Sequence, residues 1–453
     1  MKMTIDHLKA ARDNGQSLLR GPLSVTTPGC VDGWFEIHER FGKLQFSELL
    51  APTIGYAREG VPITQETADN FAAVETSVQQ SDIPSFKSLF LRHNEFPRKG
   101  EIFSNPDLAN TLEVIANQGR KGFYQGKVAT AIADHIQDRG GYLTKRDLAD
   151  HQSKWVEPVS INYRGYDVWE IPPNGQGIAA LQILQILEGF DIGAMTFGSA
   201  DHVHHFVEAK KLAYEDLAKY YGDPDFGDIP VETLLSDEYA AKRRSLIQKD
   251  QVGEYLPGLE SGDHTIYLTT ADSQGNMVSF IQSLSALFGS REVPPGLGFP
   301  LQNRGGTGFT LEDGHISMYE PGKRPFHTII PAFVTKDGQP HMSFGLMGGD
   351  MQPQGHAQII INLIDFGMNL QEAGDAPRIR HSGSALLSGH VNGSGDTFLE
   401  SGFPYETISK LMDRGHRIRM AKGIYGGYQA IMKKDGIYIG ASESRKDGQA
   451  AGY

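Results

Sequence analysis

A strand-turn-strand pattern set in the middle of a chain whose first half is patterned for helices limits the folds open to it. Thr265, Tyr267 and Thr269 alternate with Ile266, Leu268 and Thr270, Asp272-Ser273-Gln274-Gly275-Asn276 supplies turn residues, and Met277 to Phe280 starts a second β-rich run. Upstream, apolar residues recur at three- and four-residue spacing. That spacing predicts helices over Val31 to Phe41, Phe46 to Arg58 and Pro62 to Phe71, the last with Thr64 as a cap, then Asn105 to Asn117, Gly126 to Arg139 and Lys145 to His151. Pro158 to Pro173 reads as a hairpin about Arg164-Gly165 that joins this helical part to a sheet, and Ile178 to Leu187 as a strongly apolar helix. Beyond the central hairpin come a second, Phe333 to Phe344 turning at Asp337-Gly338, and a third over Tyr428 to Ala441. Helices are predicted between and after them at Gln354 to Phe366, Leu370 to Pro377 and Tyr405 to Gly415. Periodicity alone therefore gives a mixed α and β chain, either one large layered domain or two smaller ones.

Composition removes several function classes. A formal charge of -13 over 453 residues argues against a phosphate-backbone partner, which needs clustered Lys and Arg, so no nucleic acid is expected. A single cysteine, Cys30, excludes an internal disulfide and a cysteine metal cluster; set among turn formers, it reads as structural. No apolar run approaches the roughly 20 residues that span a bilayer, and the first residues carry mixed charge without a continuous apolar segment. The expectation is a cytoplasmic protein without a membrane partner.

Three local patterns invite a functional reading. Asp201-His202-Val203-His204-His205 offers three histidines on one predicted helix, but His202, His204 and His205 do not pair at i and i+4, so no metal site is expected there. Asn174-Gly175-Gln176-Gly177 precedes a helix, as phosphate-binding glycines do, without the Gly-x-x-x-x-Gly-Lys pattern such a site needs. Lys242-Arg243-Arg244 reads as a solvated helix face, and Gly298 to Phe309 as a loop too rich in glycine for a helix.

The central hairpin carries a more specific signal. Thr265, six residues, Asp272, two residues and then Gly275-Asn276, followed by an apolar strand ending in Phe288-Gly289-Ser290, resembles the start of the small subunit of the γ-glutamyltransferases. Glu208-Ala209-Lys210-Lys211-Leu212-Ala213 followed by Gly222-Asp223-Pro224-Asp225-Phe226, and Pro321-Gly322-Lys323-Arg324-Pro325, match the same family. The resemblance covers nearly all of this chain but not all of the family. Members open with a helix and strands and then an arginine segment for the substrate carboxylate; here Gly21 to Gly29 comes almost at once, so a truncated gene product is expected, with a truncated inactive member as one reading.

What the resemblance implies is an α+β, four-layer αββα sandwich of the N-terminal-nucleophile hydrolase class, lacking the family's N-terminal elements. It implies a precursor, or zymogen, that cuts itself between His264 and Thr265 into a large-subunit-like, mostly helical 1–264 and a strand-rich 265–453. The product would be a two-chain heterodimer, alone or as a pair of such heterodimers. Thr265 would then attack an amide carbonyl while its own freed α-amine, with an ordinary pKa near roughly 8, relays the proton; no cofactor is needed. Ser283 stands where the family has a threonine hydrogen-bonded to the nucleophile, and Gly348 and Gly349 where backbone N–H groups hold the oxyanion. Ser285, Asn303, Arg304, His327 and Thr328 occupy substrate-binding positions.

Two departures bear on specificity. Gly305-Gly306-Thr307 replaces the acidic pair that holds a substrate α-amine, and His327-Thr328 replaces paired serines. Both resemble the branch that includes oxamate amidohydrolase. The expected activity is hydrolysis or acyl transfer of γ-glutamyl, glutathione-like amides, with small non-glutamyl amides and cephalosporin-type acylase substrates as alternatives.

Overall fold

The computed structural model describes residues 2–253, 264–383 and 394–453, with His264 described by its backbone alone. They form two compact units, one of Met1–Trp155 with Ala286–Gly306 and one of Val156–Ser285 with Thr307–Tyr453. The second unit contains residues on both sides of the 264/265 bond, so a cut there would fall inside a compact body.

The first unit is helical. Pro106–Gln118 and Gly126–Asp138 turn apolar stripes inward, burying Leu112, Ile115, Val128, Ile132 and Ile136, each such side chain contributing about 1.5–3 kcal/mol relative to exposure. The segment expected as a helix over Pro62 to Phe71 divides differently. Val61–Pro62 pairs as a strand with Ile102–Phe103, Thr64 caps the helix through the Thr67 N–H, and the helix runs over Gln65–Gln79 so that Phe71 and Val78 both reach the core. The returning segment 286–306 threads this unit: Phe288 stacks on Phe71 and Phe96, and Leu297 and Leu301 enter the neighbouring cluster.

The second unit is built on a six-stranded antiparallel sheet in the order Ile437–Ser442, Gly427–Lys434, Gln339–Met347, Ala332–Lys336, Tyr166–Glu170, Val159–Tyr163. All four expected hairpins are present, those at Pro158 to Pro173, Phe333 to Phe344 and Tyr428 to Ala441 merging into this one sheet. Helices Gly177–Glu188, Ala200–Tyr220 and Met351–Ile364 supply Ile183, Phe206 and Ile360 to the cluster that also holds Val334, Phe344 and Leu346 of the sheet. The central hairpin, His264–Ala271 paired with Met277–Ser285, lies on the sheet as a second strand layer. Its inward residues make the contact: Thr269 Oγ1 donates to Ser343 Oγ at 2.6 Å, and the Tyr267 ring fills the space a side chain at Gly345 would need.

Two sequence expectations fail here. Arg304–Gly308 forms one helical turn within the expected loop, and its glycines are needed for close packing: a Cβ at Gly306 would stand 2.2 Å from the Leu18 carbonyl oxygen. Arg243 and Arg244 are not a solvated face. They end the helix Asp237–Arg244 with their guanidiniums turned inward, Arg243 onto Leu212 O within Ala200–Tyr220 and Arg244 onto Gln185 O and Ile186 O, so that Arg244 satisfies carbonyls in the last turn of Gly177–Glu188. Residues 254–263, just before the expected cleavage point, lie outside the described residues.

Candidate active site

Strand His264–Ala271 and strand Met277–Ser285 pair in register except at one point: His264 faces Ser285 and Thr265 faces Ser283, leaving Leu284 as a bulge. A bulge re-aims the side chains beside it. Here it sets Thr265 and Ser283 opposite each other on the inward face, and Thr265 Oγ1 donates to Ser283 Oγ at 3.1 Å. Ser283 Oγ also accepts the Ser285 N–H at 2.9 Å. Ser285 sits at φ 76°, in the left-handed region that a non-glycine residue seldom adopts, and its hydroxyl lies 3.1 Å from Thr307 Oγ1. Thr265 is 7% exposed, so its hydroxyl lies in a site largely shielded from water.

The adjacent sheet aligns with this strand. Thr269 meets Ser343 and Tyr267 meets Gly345, so this strand packs along the strand Gln339–Met347, which ends just before the glycine turn. That turn is Gly348-Gly349, at φ 133° and φ 58°. The two carbonyls are occupied: Gly348 O accepts the Met351 N–H at 3.0 Å, and Gly349 O accepts the Gln352 N–H at 3.2 Å and Gln176 Nε2 at 2.7 Å. Among the described residues, neither the Gly348 N–H nor the Gly349 N–H donates a hydrogen bond. Two adjacent open amides form an arrangement that can stabilise an oxyanion.

His327 and Thr328 run beside 174–176. His327 N donates to Asn174 O at 3.1 Å, its ring packs over Gly175, and Thr328 O accepts from Gln176 at 2.7 Å. Asn303 and Arg304 belong to the first unit. The Asn303 amide is engaged by backbone, Nδ2 on Leu19 O and Oδ1 on the Ala286 N–H, while Arg304 is 8% exposed with its own N–H turned onto Gln302 Oε1.

Charge is concentrated behind the glycine turn. Asp350 follows it and binds Arg380 at 2.8 Å. Lys210 is buried, its pKa brought down to about 7 by loss of solvation, against the opposing pull of Asp350.

The histidine-rich helix contains a cluster that the sequence reading overlooked. His204 and Glu208, at i and i+4, meet His416 from far along the chain, all three buried. Their donors are spoken for: His204 Nε2 donates to Gln248 O, His204 Nδ1 accepts from His416 Nε2 at 2.8 Å, and Glu208 holds Lys211 at 2.6 Å and the Gly253 N–H at 2.9 Å. A lysine ammonium against the one carboxylate supplies the positive charge of the cluster. His202 and His205 face other partners, the Gly198 N–H and Asp201 O. His416 lay beyond reach of any spacing rule because it is 212 residues away.

Comparison with known proteins extends over all of this. The whole chain, residues 1–453, matches the family model described as Gamma-glutamyltranspeptidase. The glutathione hydrolase-like YwrD proenzyme of Bacillus subtilis (strain 168) is 37% identical over 441 residues, which are 95% of this chain and 81% of that protein. The oxamate amidohydrolase proenzyme of Klebsiella pneumoniae is 33% identical over 445 residues, 96% of this chain and 82% of that one. Among solved structures, a cephalosporin acylase from Bacillus halodurans superposes with a TM-score of 0.91 at 42% identity, over 100% of this chain and 83% of the other. No helix among the described residues is long and apolar enough to cross a membrane. The chain belongs to the gamma-glutamyltranspeptidase family, an amide-hydrolysing enzyme with the α+β fold of the N-terminal-nucleophile hydrolases.

Proposed function

We propose that the protein is a proenzyme that cuts itself between His264 and Thr265 and then hydrolyses a small-molecule amide through an acyl-enzyme on Thr265. The observation that supports this reading is the Thr265–Ser283 hydrogen bond, with the two open amides of Gly348 and Gly349 at the end of the strand Gln339–Met347. In the uncut chain the Thr265 nitrogen is an amide and cannot act as a base; cleavage frees an amine on the residue that bears the nucleophile. Thr265 Oγ1 then adds to the substrate carbonyl carbon, the hydroxyl proton passes to the α-amine and on to the leaving amine, and the oxyanion rests on the Gly348 and Gly349 N–H groups. Water repeats the addition on the resulting ester and releases the acid. The proenzyme names of the relatives support self-processing.

For the substrate, the favoured acyl group is an acid without a free α-amine. Gly305-Gly306-Thr307 offers no carboxylate to hold an ammonium, and Arg304, on the family resemblance, is the anchor for the substrate acid group. The names of an oxamate amidohydrolase and a cephalosporin acylase among the similar proteins support this reading. The second reading, γ-glutamyl amides, is supported by the glutathione hydrolase-like relative.

The test is direct. Purified protein should run as two polypeptides on a denaturing gel, the smaller beginning Thr-Ile-Tyr-Leu, and Thr265→Ala should leave one uncut chain without activity. Rates on γ-glutamyl-p-nitroanilide, glutaryl-p-nitroanilide and oxamate then rank the substrates. An active preparation that contains only the uncut chain overturns the mechanism.

A further inference from the structure

Gln176 belongs to a Gly-rich stretch to which the sequence assigned no role, yet its side chain lies fully buried between two segments of the site. Its Nε2 donates one hydrogen to Thr328 O and the other to Gly349 O, both at 2.7 Å. Both partners are carbonyls, so the amide can face them only with its nitrogen. The other end, Oε1, is buried and has no hydrogen-bond partner among the described residues. A buried acceptor left open weakens a fold, so stability is not what this side chain serves best.

What it does for the Gly348-Gly349 turn follows from glycine. Two consecutive glycines have no Cβ to restrict φ and ψ, and the peptide between them can rotate with little steric resistance. The Gly349 N–H shares a peptide plane with Gly348 O, and Gly349 O lies in the next plane, so holding both carbonyls limits rotation on either side of Gly349 and with it the aim of its N–H. The helix that follows holds each carbonyl with one backbone N–H, at 3.0 and 3.2 Å. Gln176 adds the shortest of these bonds and also grips the His327-Thr328 segment, through Thr328 O.

We propose that Gln176 is a positioning residue for the oxyanion site, clamping the glycine turn to the Thr328 segment so that the Gly348 and Gly349 amides stay open and aimed. This rests on the Thr265 mechanism proposed above. Gln176 touches neither substrate nor nucleophile in this role; it acts by fixing the Gly349–Asp350 peptide plane that closes the turn, which restrains Gly349 from its C-terminal side.

The experiment compares Gln176→Leu with Gln182→Leu, a glutamine from the same helix that is 2% exposed and bonds Asp216 and Tyr221 instead. Both are assayed on whichever p-nitroanilide the wild type cleaves, for kcat and KM separately. Both are also assayed for inhibition by phenylboronic acid, whose boron takes up a nucleophile oxygen to form a tetrahedral anion that needs the oxyanion site. For Gln176→Leu, kcat should fall about tenfold to a hundredfold with KM within about threefold, and phenylboronic acid should bind weaker by a similar factor. Gln182→Leu should lower the melting temperature and leave kcat and boronate affinity unchanged. Gln176→Met serves as a second variant of matched length. Wild-type kcat and boronate affinity in either Gln176 variant overturn the proposal. So does failure of both to fold while Gln182→Leu folds, since Gln176 is then a folding residue. Failure of the nucleophile reading shows separately, as activity retained by Thr265→Ala.

Discussion

Glu170 and His356 lie 2.6 Å apart, both fully buried, and each decides where the other's hydrogen sits. His356 Nε2 accepts the Leu346 N–H at 3.0 Å, so Nδ1 carries the ring hydrogen and donates it to Glu170 Oε1. Leu346 lies two residues before Gly348, so this pair anchors the strand that delivers the glycine turn.

Burial pushes the Glu170 carboxyl pKa up, against the lowering pull of His356. A carboxyl with a raised folded pKa contributes stability that is complete below its unfolded value and is lost as pH rises through the folded one. Glu170→Gln keeps an acceptor for His356 and does not titrate, so its melting temperature should gain on the wild type as pH increases from 4 to 8. Glu170→Leu strands the His356 Nδ1–H and should cost about 1–3 kcal/mol in denaturant titrations. Melting curves that stay parallel across pH for wild type and Glu170→Gln would show that Glu170 does not titrate in this way.

Ser283→Ala removes the shared acceptor of the Thr265 hydroxyl and the Ser285 N–H. Self-cleavage and turnover should both slow by about five- to a hundredfold, equivalent to about 1–3 kcal/mol, while Ser283→Thr keeps the hydroxyl and most of the rate. The rate of appearance of the chain beginning at Thr265 measures the first effect. Unchanged processing in Ser283→Ala removes Ser283 from the mechanism.

Arg304→Ala should lower kcat/KM on the best acidic substrate by about tenfold to more than a hundredfold, the loss of a charge-assisted bond of about 1.5–3 kcal/mol. Self-cleavage should persist, because it involves no substrate acid group. A variant with wild-type kcat/KM, or a wild type that prefers γ-glutamyl amides to their deaminated analogues, returns the substrate assignment to the glutathione-like class.

Two buried histidines predict acid lability. Loss of solvation, with His205 adding to it, brings the His202 pKa down to about 4; loss of solvation, then His204, Lys211 and Arg414, brings His416 down to about 3. Below the ordinary value of 6.5 the unfolded chain binds protons that the folded one refuses. Stability should therefore fall as pH drops from 6.5 toward 4, and level off with respect to these groups below their folded values. His202→Asn keeps an acceptor for the Gly198 N–H, so its melting temperature should decline less steeply over that window. Equal slopes in the two proteins would assign the lability to other groups.

Much of the local structure was legible in the chain because local rules produce it. The turn at Asp337-Gly338, the Thr64 cap and the alternation from Thr265 to Thr270 depend on neighbours a few residues away, and the structure places hairpin, cap and strand there. Helix limits moved by a few residues, and Pro62 to Phe71 moved further because a strand partner 40 residues on, Ile102–Phe103, claims Val61–Pro62. The parallel and antiparallel strands Ile379–Ser382, Asp396–Leu399 and Arg417–Arg419 were not foreseen; they are short, and their pairing spans intervening chain.

The sequence by itself determined the chemistry available: a threonine opening a strand, a serine where a second hydroxyl would be needed, a glycine pair after another strand, and a family pattern linking them. Covalent order and residue type settle which groups exist and which turns they can adopt. Only the tertiary structure decided which groups meet. The bulge that sets Thr265 on Ser283, the Gln176 amide spanning Thr328 and Gly349, the His416 ring on His204 and the inward turn of Arg243 and Arg244 all join residues separated by up to 212 positions. Such pairings follow from packing two strand layers and a helix layer at fixed spacing, and that spacing is a property of the whole core rather than of any segment.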